Sequence, residues 1–488
     1  MDADRVAEER SGGAYRDLAP EPPASTGGAV EKHSIDWIPE QDRHGSVRNL
    51  FSVWFAANMQ ITTVVTGALA VIVGLSLPWA LLAIVVGNVF GAVFMALHSA
   101  QGPKLGIPQM IQSRAQFGFF GAIIPLLLVL LMYLGFFASS GVLGGQALSA
   151  WTGLGLVPSI LIVSAVCTVA AVLGYRWIHA MERVISVLAV LAFLYLSFRL
   201  LQQHDIGNAW HAGSFSFGTF LLAVAIAATW QITYAPYVAD YSRYLPESTS
   251  ARAAFGWTYA GSFIGTVWMM AFGSIAAALA SKSFGDNPVA FVVDLAPSGA
   301  QWVFYVVLLL GVLAINTLNL YGAFMSTTTT TSAVVKMKMG TGVRTIFVLI
   351  TAVVGALIAV LGHSNFVPNF ENFILFLAYF LIPWTAINLV DFYLVRRERY
   401  HIASILDRGG LYPDWAWPAL FAYAVGVIVE VPFMSTTFYT GPMVDHLGGA
   451  DISWILGLIV SAAVYAGFGS RIVASEKRWY DDHLEANS

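Results

Sequence analysis
The sequence predicts an all-α integral membrane protein with twelve transmembrane helices, and three observations carry that prediction. At 57% hydrophobic residues, 11% charged residues and a mean hydropathy of +0.70, the 488-residue chain has too little polar surface to cover a soluble core. Twelve apolar runs are each long enough to cross a hydrocarbon layer, which takes roughly 17 to 25 residues. With the N-terminus inside, 22 of the 24 Lys and Arg residues fall on the cytoplasmic side, leaving Arg199 and Lys282 outside. A wrong number of spans would scramble that bias.

The chain begins with residues 1–48, rich in Ala, Gly, Pro and charge and without the apolar core of a secretory signal, which reads as a mobile cytoplasmic tail. Spans follow near Phe51 to Gly74, Trp79 to Leu97, Phe117 to Leu148, Val157 to Leu173, Val184 to Leu201 and Thr219 to Ala239. Six more lie near Ala254 to Ala280, Gln301 to Thr331, Thr345 to Leu361, Phe373 to Val395, Trp415 to Phe433 and Ile452 to Phe468. Residues 49–400 would form a ten-helix transport core, 401–472 helices 11 and 12, and 473–488 a cytoplasmic tail. The connections are too short for a second soluble domain.

Two spans depart from plain aliphatic sequence. Span 1 carries Asn58, Gln60, Thr62 and Thr63, and span 6 closes on Trp230, Gln231, Thr233 and Tyr234 just before Pro236. Proline removes a backbone donor and breaks the preceding helix. Freed backbone groups are tolerated within a membrane only where they are buried in protein or line a wet cavity. Paired breaks five helices apart are what an inverted five-plus-five repeat produces, with the substrate held between them at the midplane. The plainer alternatives are a proline kink in an ordinary helix and amides that join helices.

Other features are quieter. Thr327 to Thr331 suits hydroxyls bonded back to the preceding turn. His98 and His363, at span ends, read as interfacial, and Arg396, Arg397, Arg399 and Arg408 as cytoplasmic anchors. The single cysteine, Cys167, cannot form an internal disulfide. A net charge of −4 without a basic block argues against a nucleic-acid partner. No metal-ligand motif or Walker-type phosphate loop is present, which argues against a metal cofactor, an ATP-driven pump and a membrane enzyme.

One set of motifs is specific. Trp54-Phe-x-Ala-Asn58, His98 to Pro108, Gln112 to Gly121, Ala239-Asp-Tyr-Ser-Arg-Tyr-Leu-Pro246, Asn316 to Tyr321, Asn372 to Tyr379, and Pro383 to Asp391 with Arg396-Arg397 occur in order. Together they resemble the nucleobase:cation symporter-1 family, in particular its purine/cytosine permease branch, over about Ser46 to Tyr400. The resemblance implies a leucine-transporter-type fold in which spans 1, 3, 6 and 8 enclose a flat heterocycle, with two extra C-terminal helices. Similar permeases of hydantoins place a tryptophan and, one turn later, a glutamine on span 3, where this chain has Phe136 and Ser140. Their span 6 tryptophan falls on Trp230 or Gln231, and their span 8 asparagine on Asn316 or Asn319.

A heterocycle presents two apolar faces and a rim of donors and acceptors, so aromatic rings and amides suit it. The substrate-binding candidates are Asn58, Gln60, Phe136, Ser140, Trp230, Gln231, Tyr234, Asn316 and Asn319. The expected activity is cation-coupled import of a nucleobase across the plasma membrane by alternating access. The alternatives are a permease for hydroxymethylpyrimidine, pyridoxine or allantoin, and, from another class, a membrane enzyme or a passive channel. Sodium-driven relatives carry two adjacent hydroxyls on span 8, but the matching positions here are Ala314 and Ile315, or Leu313 and Ala314. A proton is therefore the expected coupling cation, carried by Glu430 or by Asp240, the latter close to Arg243.

Overall fold
The computed structural model describes residues 37–485 apart from 174, 212 and 335–340. Each of the twelve apolar runs falls on a helix, and among the described residues the only β-bridges are two isolated ones. Seven helical stretches are long and apolar enough to cross a membrane, one of them the 54-residue stretch Gly342–Val395, which contains both run 9 and run 10. Two bent pairs raise that number to nine, and two shorter apolar helices, Leu156–Val172 and Trp417–Phe433, account for runs 4 and 11.

Spans 1 and 6 are interrupted. Span 1 consists of Asn49–Ala57 and Ile61–Ile72, bent by 63°. Span 6 consists of Phe217–Ile232 and Ala235–Ser242, with Pro236 in the first turn of the second piece, where its missing N–H has no helical partner to lose. Span 3 runs over Ile123–Thr152 and span 8 over Gln301–Val334. Phe117, expected to open span 3, instead ends a separate loop helix, Gln109–Phe117, because Gly118 at φ 91° turns the chain.

Small residues set the closest contacts. A Cβ at Gly67 of span 1, or at Gly261 or Gly273 of span 7 (Ala251–Leu279), would run into the backbone of Met270, Phe51 and Val64 respectively. Spans 1 and 7 therefore touch backbone to backbone on both sides of the break. Span 2 (Leu77–Ser99) meets span 6 in the same way through Gly87 and Gly91 against Val224 and Ala228.

Three peripheral expectations are corrected. Part of the supposed mobile tail, residues 37–48, is packed: Arg43 is 8% exposed and donates to the Ile38 and Pro103 carbonyls. Residues 1–36 lie outside the described part. His98 is buried and stacked on Trp384 at 5.2 Å rather than interfacial, since span 10 (Phe366–Val390) lays that ring over it. Arg396 is a buried ion-pair residue, bonded to Asp391 and, at 2.8 Å, to Glu476 of the C-terminal helix Gly469–Glu485. Asp391 also accepts from Tyr400 (2.6 Å), Tyr465 (2.7 Å) and Gln116 (3.1 Å), which explains how its charge is tolerated.

Candidate functional site
The break in span 1 is chemically closed. The last carbonyls of a helix have no intrahelical donor, and here each finds one. Trp54 accepts from Asn58 Nδ2 (2.8 Å), Phe55 from the Asn58 N–H (3.3 Å), Ala56 from the Met59 N–H (2.9 Å) and Ala57 from Gln60 Nε2 (2.7 Å). The two amides sit where they do because the interrupted backbone needs them.

Asn58 also joins the two breaks. Its Oδ1 accepts from Trp230 Nε1 at 2.9 Å and from the Tyr234 hydroxyl at 3.1 Å. It is fully buried, so its part is to position the rings on span 6.

Below this junction lies a cavity of ≈ 1610 Å³, walled by span 1, the loop helix, spans 3, 5, 6 and 8. Gln60, Tyr234 and Asn319 line it beside the breaks, its walls include Trp54, Tyr133, Tyr237, Tyr241 and Asp240, and it runs on along span 8 to Gly311. Exposed His44 and Asn49 stand at its mouth, so it opens on the side of the N-terminal segment. Behind the cavity wall, one turn after Tyr133, Phe136 meets Trp230 edge-on at 5.7 Å and Phe373 at 5.1 Å.

The sequence-derived candidates divide accordingly. Gln60, Tyr234, Asn319 and Asp240 reach the cavity wall. Phe136 and Trp230 do not reach the cavity wall but pack edge-on against each other behind it, and Ser140 lies a turn further on, beside a void of ≈ 10 Å³ shared with Gln60 and Thr62. Gln231 is corrected: it is fully buried and donates to Asn88 (2.8 Å) and Thr266 (3.0 Å) while accepting from Ser262 (2.6 Å). It faces spans 2 and 7 because one residue along a helix is a turn of about 100°, which puts it on the side away from Trp230.

Asn316 is likewise corrected. It donates to the Phe137 carbonyl (3.1 Å) and accepts from Asn319 (3.2 Å), so it ties span 8 to span 3 and orients Asn319. Glu430 is fully buried against Gly457, away from the cavity, with neither carboxyl oxygen hydrogen-bonded. Asp240 accepts from the Gln109 N–H at 2.8 Å, at the first turn of the loop helix.

Residues 37–457 match the family model described as permeases for cytosine/purines, uracil, thiamine and allantoin. The chain belongs to this permease family. A Bacillus subtilis (strain 168) member bearing the provisional name purine-cytosine permease YxlA is 45% identical, covering 89% of this chain and 95% of its own. The purine-cytosine permease fcyB of Emericella nidulans is 27% identical over 89% and 87% of the two chains. Among solved structures, the inward-facing conformation of Mhp1 superposes with a TM-score of 0.75 at 20% identity, covering 93% and 98%. A closed, bromovinylhydantoin-bound Mhp1 gives 0.73, also at 20% identity, over 93% and 99%. These likenesses bear out the leucine-transporter-type fold of this permease.

Motif reading missed the tyrosines of the permease cavity. Tyr133 is one turn before Phe136, and Tyr237 and Tyr241 continue the helical spacing from Tyr234, a stripe visible in the sequence. Trp54 was noted only as part of a motif, yet its Nε1 is a buried donor without a partner at the cavity wall.

Proposed function
We propose that this permease imports a nucleobase or a similar flat heterocycle by cation-coupled alternating access. The observation that carries the reading is the aromatic cavity lined by residues of both breaks, in spans 1 and 6, and open on the side of the N-terminal segment. A ring can stack on Trp54 and the tyrosines while Gln60 and Asn319 address its edge. Base stacking on one aromatic is worth about 1–3 kcal/mol.

We assign the coupling to the proton, with the N-terminal segment and the cavity mouth on the cytoplasmic side. Span 8 presents Gly311, Ala314 and Ile315 near the span 1 break, none with a side-chain oxygen for a hard cation. The Gln60 amide already donates to the Ala57 carbonyl there. Asp240, on the cavity wall, is better placed than Glu430 to exchange a proton as the cavity changes access. The test is uptake into proteoliposomes of labelled cytosine, uracil, adenine, guanine, hypoxanthine, allantoin and pyridoxine, with proton and sodium gradients imposed separately. Accumulation of a nucleobase driven by the pH gradient is expected. Accumulation following only the sodium gradient overturns the coupling, and equilibration without accumulation overturns the symporter.

A further inference from the structure
Spans 3 and 11 start side by side, at Ile123 and Trp417. The segments leading into them are paired through their backbones: Phe119 and Phe120 N–H donate to Pro413 and Asp414 carbonyls at 2.9 Å, and Ala416 N–H donates to Phe117 at 2.8 Å. This corner therefore lies at the membrane boundary. Trp415 and Trp417 are 45% and 71% exposed on it, the placement of an interfacial aromatic belt.

Two arginines stack on the corner, and their charges are treated differently. Arg408 lies over Phe120 at 4.6 Å and is paired with Asp414 at 2.7 Å. Arg114 lies over Phe119 at 4.4 Å, is 6% exposed, and among the described residues its side chain has one hydrogen bond, a long contact to the Ile405 carbonyl at 3.5 Å. Its Nε is buried and unpartnered, and among the described residues no carboxylate pairs with it. A cation removed from water without a counter-charge is costly, so buried charges are normally paired. Burial alone pushes this guanidinium down to about 10, with no acidic neighbour raising it.

We propose that the corner binds the phosphodiester headgroup of an anionic bilayer lipid, with Arg114 supplying the counter-charge and Trp415 and Trp417 flanking the glycerol region. A lipid is favoured over free phosphate because the arginine sits beside exposed tryptophans at the start of two spans, where headgroups are concentrated. A planar guanidinium matches two oxygens of a phosphate, which an ammonium does not.

The experiment uses the full-length protein, delipidated in detergent and titrated with dioleoylphosphatidylglycerol, dioleoylphosphatidylcholine or inorganic phosphate, with melting temperature as readout. Phosphatidylglycerol should raise the melting temperature saturably, whereas phosphatidylcholine and inorganic phosphate at equal concentration should not. Arg114→Gln should raise the half-saturating phosphatidylglycerol concentration at least fivefold, and Arg408→Gln, whose arginine is already paired, less than twofold. Equal midpoints for wild type and Arg114→Gln, or an equal shift with inorganic phosphate, overturn the proposal. If Arg114→Gln does not fold, wild-type protein with a photo-reactive phosphatidylglycerol decides: adducts should map to residues 114–121 or 405–417, and adducts spread elsewhere overturn it.

Discussion

Asn58 is a fully buried side chain that holds two aromatic donors at once, and this gives a test of how the substrate site is assembled. Replacing Asn58 with leucine, a side chain of similar size, leaves Trp230 Nε1 and the Tyr234 hydroxyl without their acceptor. A buried donor left unsatisfied costs about 1–3 kcal/mol, so the single variant should lose about 2–6 kcal/mol of stability. Trp230→Phe in the same background removes one of the orphaned donors while keeping a ring beneath Phe136. Its cost in the Asn58→Leu background should be smaller than in wild type by about 1–3 kcal/mol, the coupling energy of the pair. Equilibrium unfolding in mixed micelles measures all four corners of the cycle. Additivity within about 0.5 kcal/mol would mean that the two residues do not interact, and the junction between the breaks would be refuted.

Asn319→Ala should weaken nucleobase binding by about 1–3 kcal/mol with little change in melting temperature, whereas Asn316→Ala should chiefly destabilise; equal affinity loss in both would contradict their assigned places. Gln231→Leu leaves the polar groups of Asn88, Thr266 and Ser262 unpaired, so stability should fall by several times about 1 kcal/mol while KM stays within about twofold in uptake assays. Asp240→Asn keeps an acceptor for the Gln109 N–H but cannot carry a proton, so pH-driven accumulation should vanish while substrate exchange at equilibrium persists. Retained accumulation would remove Asp240 as the carrier. Cysteines at Gln202 and Ser475 should react from opposite sides with a membrane-impermeant reagent; reaction from one side would overturn the proposed orientation.

The membrane fold was legible because hydrocarbon imposes a coarse, one-dimensional requirement: long apolar runs with basic residues between them. The breaks were legible too, since Asn58, Gln60 and Pro236 are residues that an uninterrupted lipid-facing helix has no use for. What each amide faces was not. Trp230 and Gln231, or Asn316 and Asn319, differ in sequence by one and three positions, yet Trp230 meets Asn58 at the junction of the breaks and Asn319 lines the cavity, while Gln231 and Asn316 serve the packing behind them. That choice is fixed by helix rotation, which motif spacing alone leaves open by about 100° per residue. Arg396 misled for a different reason: Asp391 stands only five residues before it, but Glu476 reaches it from the C-terminal helix 80 positions on, a pairing that the loop sequence does not announce.

The glycine seams between spans 1 and 7 and between spans 2 and 6 restrict how this permease can change shape. Where backbones already touch, no rotamer can swing aside to let one helix slide past the other, so each pair is a single mechanical part. The flexible joints of the cycle must then lie elsewhere, between these pairs and along the walls that spans 3 and 8 contribute to the cavity. Turnover would accordingly be governed by a few collective coordinates, and a bulky residue in a seam would slow the transporter without ever touching its cargo.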